Sequence, residues 1–354
     1  MADEKVKKSA HILLNAGRGN PNWIATEARN AFFAFGQFAM TEATRTFSMP
    51  EGIAGVPKQD GISVRFETWM RENASLPGVD MLRRSYEYCL EELSADSDAL
   101  IGEWASGILG DNYPVPPRIL DYTQRITRKY IDWAICAGNP PKDVTFDLFA
   151  VEGSTAGMCY AFDVLRSNFL LNKGDAIAIM VPVFTPYIEI PQLSDFEYKV
   201  LNIRADVMDK NGMHTWQYDP ADIEQLKDRK YKMLFVTNPS TPPSYAIDPY
   251  TVKAIREVVK ANPDLMILTD DVYGTFVPHF LSLFAALPHN TACLYSFSKY
   301  FGATGWRVGA IALAKDNVFD EVIDQLPKAV KAKVSARYQS IASESTTVSF
   351  IDRI

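Results

Sequence analysis

Chemistry in this chain would turn on Lys299, in the stretch Ser296-Phe-Ser-Lys299-Tyr-Phe-Gly302-Ala-Thr-Gly305-Trp-Arg307-Val-Gly309. A lysine amine condenses with a carbonyl, so an aldehyde can be held covalently and then handed to a substrate amine. Ser296, Ser298 and Arg307 form the donor set that a phosphate dianion requires, with the guanidinium supplying a bidentate fork. Gly302, Gly305 and Gly309 allow close backbone approach or positive φ. The cofactor that combines an aldehyde with a phosphate is pyridoxal 5'-phosphate (PLP), and the stretch reads as a PLP site anchored on Lys299. Most lysines are solvated, but apolar runs at 291–295 and 308–313 put this one on a loop between two strands, where functional residues concentrate.

Other segments supply what such a cofactor needs. Glu152-Gly153-Ser154-Thr155-Ala156-Gly157 follows an apolar run and precedes helical spacing at 158–169. Backbone N–H groups at a helix start favour an anion, and Ser154 and Thr155 add hydroxyls, although such a turn is more often only a helix cap. The helix dipole contributes about 0.3–1 kcal/mol, so Arg307 carries most of the charge stabilisation. In Asp270-Asp271-Val-Tyr273, Asp270 is placed to pair with the pyridinium nitrogen, Tyr273 to donate its phenol to the ring O3', and Asp271 to act as a cap or lie in solvent. Phe184, in Pro182-Val-Phe-Thr-Pro-Tyr187, is a candidate to stack on the ring face.

These segments need a scaffold. Apolar runs at 144–151, 176–181, 233–237, 265–269, 293–296 and 308–313 alternate with helical stretches, the signature of βα units around a mainly parallel sheet buried on both faces. Ligands of open α/β sheets gather beyond the carboxyl ends of the strands, and each candidate residue follows such an end. The first hundred residues read differently, with a helix at 29–40, a Gly/Pro-punctuated stretch at 46–61 and an amphipathic region to 109. The expected division is an N-terminal arm and small subdomain at 1–115 and a cofactor-binding large domain at 116–354. Helical spacing runs over 318–335, and 350–354 reads as the opening of a further helix cut short.

With 354 residues, 47% of them hydrophobic, the chain can bury a large core. Its 43 acidic against 36 basic residues give a net charge of −7, which argues against a nucleic-acid footprint. The basic patch at Lys5, Lys7 and Lys8 is followed by no apolar run long enough for a signal peptide or membrane span, so a cytoplasmic location is the expectation. Cys89, Cys136, Cys159 and Cys293 are scattered, with no CxxC pair and no cluster with the four histidines. Reduced core thiols are expected, with no metal site and no disulfide framework.

Taken together, the lysine, the arginine eight positions later, the Asp-x-x-Tyr and the Gly-Ser-Thr turn resemble the fold-type-I aminotransferases. Within that superfamily the stretches at 14–22, 107–118, 182–191, 265–276 and 295–309 are similar to the bacterial aspartate 4-decarboxylases, which also transaminate aspartate. The resemblance implies a fold-type-I large domain with PLP on Lys299, Asp270 at the ring nitrogen and Tyr273 at O3'. Phosphate would be bound by Gly153, Ser154, Thr155, Ser296, Ser298 and Arg307, with Phe184 stacked on the ring. It implies Asn238 near the cofactor, Tyr113 reaching the phosphate of a neighbouring subunit, hence a homodimer or larger homo-oligomer, and Arg18 with Gly19 receiving a substrate carboxylate. The substrates implied are L-aspartate and 2-oxo acids.

Two departures qualify the transfer. Thr241 stands where the family carries a second asparagine that donates to O3'. Family members also continue into a C-terminal small domain that carries an α-carboxylate arginine, and the chain is expected to be truncated before it. Three readings therefore stay open: an aspartate decarboxylase, an aminotransferase for another amino acid, and a catalytically silent PLP-binding homologue.

Overall fold

The computed structural model describes residues 20–49, 55–111, 117–138, 140, 144–340, 342, 345 and 347–354. The N-terminal helices are α1 (Thr26–Phe47), α2 (Ile62–Glu72), α3 (Val79–Leu93) and α4 (Ser97–Leu109). They bury Ala31, Phe35, Phe38, Phe66, Leu100 and Ile101 against one another. Gly78 has φ +89°, and a Cβ there would lie 2.2 Å from the Ala31 amide nitrogen, so glycine permits the close contact of α3 with α1. Helix α4 is fixed by Asp96, whose carboxylate accepts from Ala99 N at 2.9 Å, and ends at Gly110 with φ +75°.

Helix α5 (Asp121–Ile135) leads into the sheet, whose strands are β1 (Phe146–Val151), β2 (Ala176–Val181), β3 (Lys199–Arg204), β4 (Tyr231–Thr237), β5 (Met266–Asp270), β6 (Thr291–Ser296) and β7 (Gly309–Ala314). Helix α6 (Ser154–Ser167) follows β1, α7 (Pro249–Ala261) follows β4, and α8 (Val318–Gln325) and α9 (Lys328–Tyr338) follow β7. The strand order is β1-β7-β6-β5-β4-β2-β3. Pairings among β6, β5, β4, β2 and β3 are parallel, whereas β7 runs antiparallel to both β1 and β6. The fold is the expected α/β sheet with flanking helices, mainly parallel with one reversed strand.

Alternation along the strands divides the core. Ile177, Ile179, Leu268, Leu294 and Ile311 face α6 through Met158, Phe162 and Leu165. On the opposite face Ala178, Met180, Leu234 and Ile267 pack with Ile255 and Val258 of α7, and Cys293, Tyr295 and Ala312 pack with Ile131 and Ile135 of α5.

The structure differs from the sequence reading at several points. The run at 318–335 is two helices, because Pro327 lacks the N–H that would continue α8 and instead starts α9. Residues Phe350–Arg353 form a 3-10 turn whose Phe350 packs on Phe319, not an α-helix. Helix α6 begins at Ser154, four residues before the expected start. Cys159 is exposed, while the other three thiols are buried as expected. His289, which the sequence reading paired with no carboxylate, lies 3.4 Å from both Asp316 and Glu321 at the surface, through different ring nitrogens.

Candidate active site

Reversal of β7 builds the site. The carboxyl ends of β4, β5 and β6 and the amino end of β7 share one edge, so the loop from β6 to β7 brings Lys299 and Arg307 back to the same place. There, a cavity of about 260 Å³ is lined by Ser154, Thr155, Phe184, Thr241, Asp270, Tyr273, Ser296, Ser298, Lys299 and Arg307, all singled out in the sequence. Asn20, Thr237, Val272 and Thr304 complete the lining and were not singled out. Gly153 backs the arginine. Asn238 is buried behind the lining, where its Oδ1 accepts from Ile247 N at 3.1 Å. Arg18, Gly19 and Tyr113 lie outside the described residues.

Asp270 ends β5 with 3% exposure. Its Oδ2 accepts from the Tyr187 hydroxyl at 3.2 Å and its Oδ1 from Val272 N at 3.3 Å, and the nearby Ser154 hydroxyl also favours its ionised form. Burial pushes the Asp270 carboxyl up to about 6 against these bonds and against the nearby Lys299 charge. Tyr187 escaped the sequence reading because a tyrosine in an apolar context looks like core; its phenol is the one polar atom that says otherwise.

Asp271 is neither a cap nor solvated. It is fully buried, with Thr269 Oγ1 donating to Oδ1 at 2.6 Å and Cys293 Sγ donating to Oδ2 at 3.5 Å, and the nearby Ser282 hydroxyl also favours its ionised form. Burial, aided by the Asp270 charge, pushes it up to about 7. Adjacent side chains leave an extended segment on opposite sides, so one aspartate faces the cavity and the other the interior.

Burial, with a smaller contribution from Arg307, pulls the Lys299 ammonium below the ordinary lysine range, and Asp270 opposes this. Its Nζ lies 6.0 Å from the centre of the Tyr273 ring. The Tyr273 phenol is raised by burial and by the Asp270 charge. Ser296 Oγ donates to Ser298 Oγ at 2.8 Å, and Arg307 Nη1 donates to Thr304 O at 2.8 Å. Arg307 itself holds φ +55°, in the left-handed region.

Glycines mark where backbone must come close. A Cβ on Gly153, which has φ +89°, would lie 2.5 Å from Arg307 Nη2, so its absence leaves room for the guanidinium at the amino end of α6. A Cβ on Gly309 would lie 2.7 Å from Tyr295 O. Gly305 has open space around it and no positive φ, so the expected need for glycine there does not hold.

The donor set fits PLP. A buried carboxylate, a depressed lysine and an arginine beside a helix start surround one cavity, and Thr237 Oγ1 in its wall is buried with no partner among the described residues, a hydroxyl left for a ligand. The profile of the aminotransferase class I and II family matches residues 151–349, and the chain belongs to that family, whose cofactor is PLP. Over its whole length it is 48% identical to the bifunctional aspartate aminotransferase and L-aspartate beta-decarboxylase of a Pseudomonas species, spanning 67% of that protein. A bifunctional aspartate aminotransferase and glutamate/aspartate-prephenate aminotransferase of Petunia hybrida is 30% identical over 40% of this chain and 29% of its own. A solved alanine aminotransferase from Pyrococcus furiosus aligns with TM-score 0.43 and 21% identity over 58% of this chain and 48% of that one. Among the described residues no helix is long and apolar enough to cross a membrane.

Proposed function

We propose that this chain converts L-aspartate to L-alanine and CO2, with transamination of aspartate as a second outcome, at the cavity around Lys299. The observation that carries this is the convergence of Lys299, Asp270, Tyr273 and Arg307 on one cavity, in a chain 48% identical throughout to a protein named for both activities. When bound, PLP supplies an aldehyde that captures the substrate amine and a ring that withdraws electrons from its Cα.

The chain's own residues do the rest. Asp270 Oδ2 and Oδ1 hold a proton at the ring nitrogen, because a carboxylate in a water-poor setting favours a cation beside it. Tyr187 and Ser154 keep that carboxylate aimed. Lys299 Nζ takes the proton from substrate Cα and returns it. Its lowered pKa raises the fraction of free amine near neutral pH, which a general base requires. Arg307, Ser296, Ser298 and Thr155 bind the phosphate with charge-assisted and hydroxyl hydrogen bonds, Ser154 adds a backbone N–H at the start of α6, Gly153 leaves room for the guanidinium, and Phe184 covers the ring. Tyr273 donates at O3', with Thr241 and Asn238 nearby. Arg18 and Gly19, next to the cavity-lining Asn20 in sequence, orient a substrate carboxylate. Tyr113 reaches the phosphate in a neighbouring subunit, making the working form a homodimer or larger.

Incubation of the PLP-loaded protein with carbon-13-labelled L-aspartate, followed by NMR, tests this. Labelled alanine and CO2 are expected. Oxaloacetate with no CO2, in the presence of a 2-oxo acid acceptor, would replace the decarboxylase reading with an aminotransferase one.

A further inference from the structure

The loop that carries Lys299 and Arg307 is held from outside by the segment that enters α1. The Trp23 indole N–H donates to Tyr300 O at 3.1 Å, and Arg29 Nη2 donates to Gly302 O at 2.7 Å while Nη1 donates to Ala25 O at 3.1 Å. The same guanidinium lies 5.1 Å from the centre of the Trp306 ring, which also packs on Phe32 at 4.9 Å. Gly302 takes φ +56°, and a Cβ there would lie 2.3 Å from Trp23 O, so the two backbones are in direct contact. Trp23 also meets Phe276 at 6.0 Å, on the turn that follows Tyr273.

These contacts fall at positions 300, 302 and 306, between Lys299 and Arg307 and adjacent to each. A loop joined to the sheet at its two ends has many ways to relax; three outside points remove most of them. Asn20, three residues before Trp23, lies in the cavity wall. We propose that Trp23 and Arg29 are positioning residues, which set the Lys299 amine and the Arg307 guanidinium for PLP by fixing the carbonyls of Tyr300 and Gly302. This rests on the PLP reading of Lys299. Preorganisation of this kind appears in affinity, because a loop that must be ordered on binding weakens it.

The test uses the full chain with Arg29→Met, Arg29→Lys and Trp23→Phe, the last keeping an aromatic ring while losing the N–H and part of the indole's bulk. PLP affinity is read by titration of the visible band, and folding by circular dichroism and the Tm of the cofactor-free protein. Arg29→Met should weaken PLP about tenfold, the size expected for losing a charge-assisted hydrogen bond, with Arg29→Lys intermediate and Trp23→Phe weaker by a smaller factor. The pH midpoint of the bound band should also move, which a general loss of stability would not cause. Should Arg29→Met fail to fold, Arg29→Lys and Trp23→Phe decide the matter. Wild-type affinity and midpoint in folded variants would overturn the positioning role while leaving the PLP reading intact. Absence of a Lys299-dependent band in the unsubstituted protein would overturn both.

Discussion

The Tyr187 hydroxyl donates to Asp270 Oδ2 across 3.2 Å, at a point where neither side chain meets water. A bond to a charged acceptor in such a place is worth about 1.5–3 kcal/mol, and it stabilises the ionised carboxylate. Tyr187→Phe removes it and pushes Asp270 further above its present value of about 6. In the cofactor-free protein the Asp270 carboxyl should therefore titrate about one unit higher, as read by carboxyl carbon-13 NMR. An unchanged titration would show that the phenol does not govern this carboxylate.

Asp271 gives a prediction about stability. Its folded-state value of about 7 lies above the 3.8 of an ordinary aspartate, so between these values the folded chain binds the proton that the unfolded chain releases. Its contribution is present below about pH 4 and is lost as pH rises to about 7. Asp271→Asn keeps an oxygen to accept from Thr269 and carries no charge. The difference in unfolding free energy between the two cofactor-free proteins should grow in favour of Asp271→Asn from pH 4 to pH 8, reaching on the order of a few kcal/mol. Denaturant titration at both ends of that range checks it.

The parts of this protein that were legible are those where one local signal decides the outcome. Runs such as 176–181 and 233–237 are apolar without alternation because β2 and β4 are buried on both faces, and they appear as strands where expected. Strand β3 was not expected: Lys199, Asn202 and Arg204 are exposed on it, so this edge strand lacks a continuous apolar run. The cavity residues were legible because Asp270 ends β5, Lys299 follows β6 and Arg307 precedes β7, positions that the reversed strand brings to a common edge. Tyr187, Trp23 and Arg29 were not, because their partners are remote in sequence: 83 residues from Tyr187 to Asp270, 277 from Trp23 to Tyr300 and 273 from Arg29 to Gly302. Asp271 was misplaced because two consecutive carboxylates after a strand look alike until the fold turns one inward.

Gly153→Ala tests the phosphate cradle. The added methyl would meet Arg307 Nη2 at 2.5 Å, and a φ of +89° disfavours any side chain, so the guanidinium must withdraw. PLP affinity should drop by about tenfold to a hundredfold, comparable to loss of an arginine–phosphate hydrogen bond. Equilibrium dialysis measures this; wild-type affinity would place the phosphate elsewhere.

Thr241 lines the cavity with a hydroxyl, at the position where the family resemblance implies an asparagine. Thr241→Asn should add a donor at the ring O3' and lower the pH midpoint of the visible band by about one unit, as a charge-assisted bond to the ionised oxygen would. A spectrophotometric pH titration reads the shift, and no shift would mean that Thr241 does not face that oxygen.

The central claim is that Lys299 carries the cofactor. Borohydride reduction of the PLP-loaded protein, followed by proteolysis and mass spectrometry, tests it directly. The peptide containing Lys299 should gain the mass of reduced PLP, and Lys299→Ala should show no adduct and no visible band. An adduct on a different lysine, or a band that survives in Lys299→Ala, would contradict it.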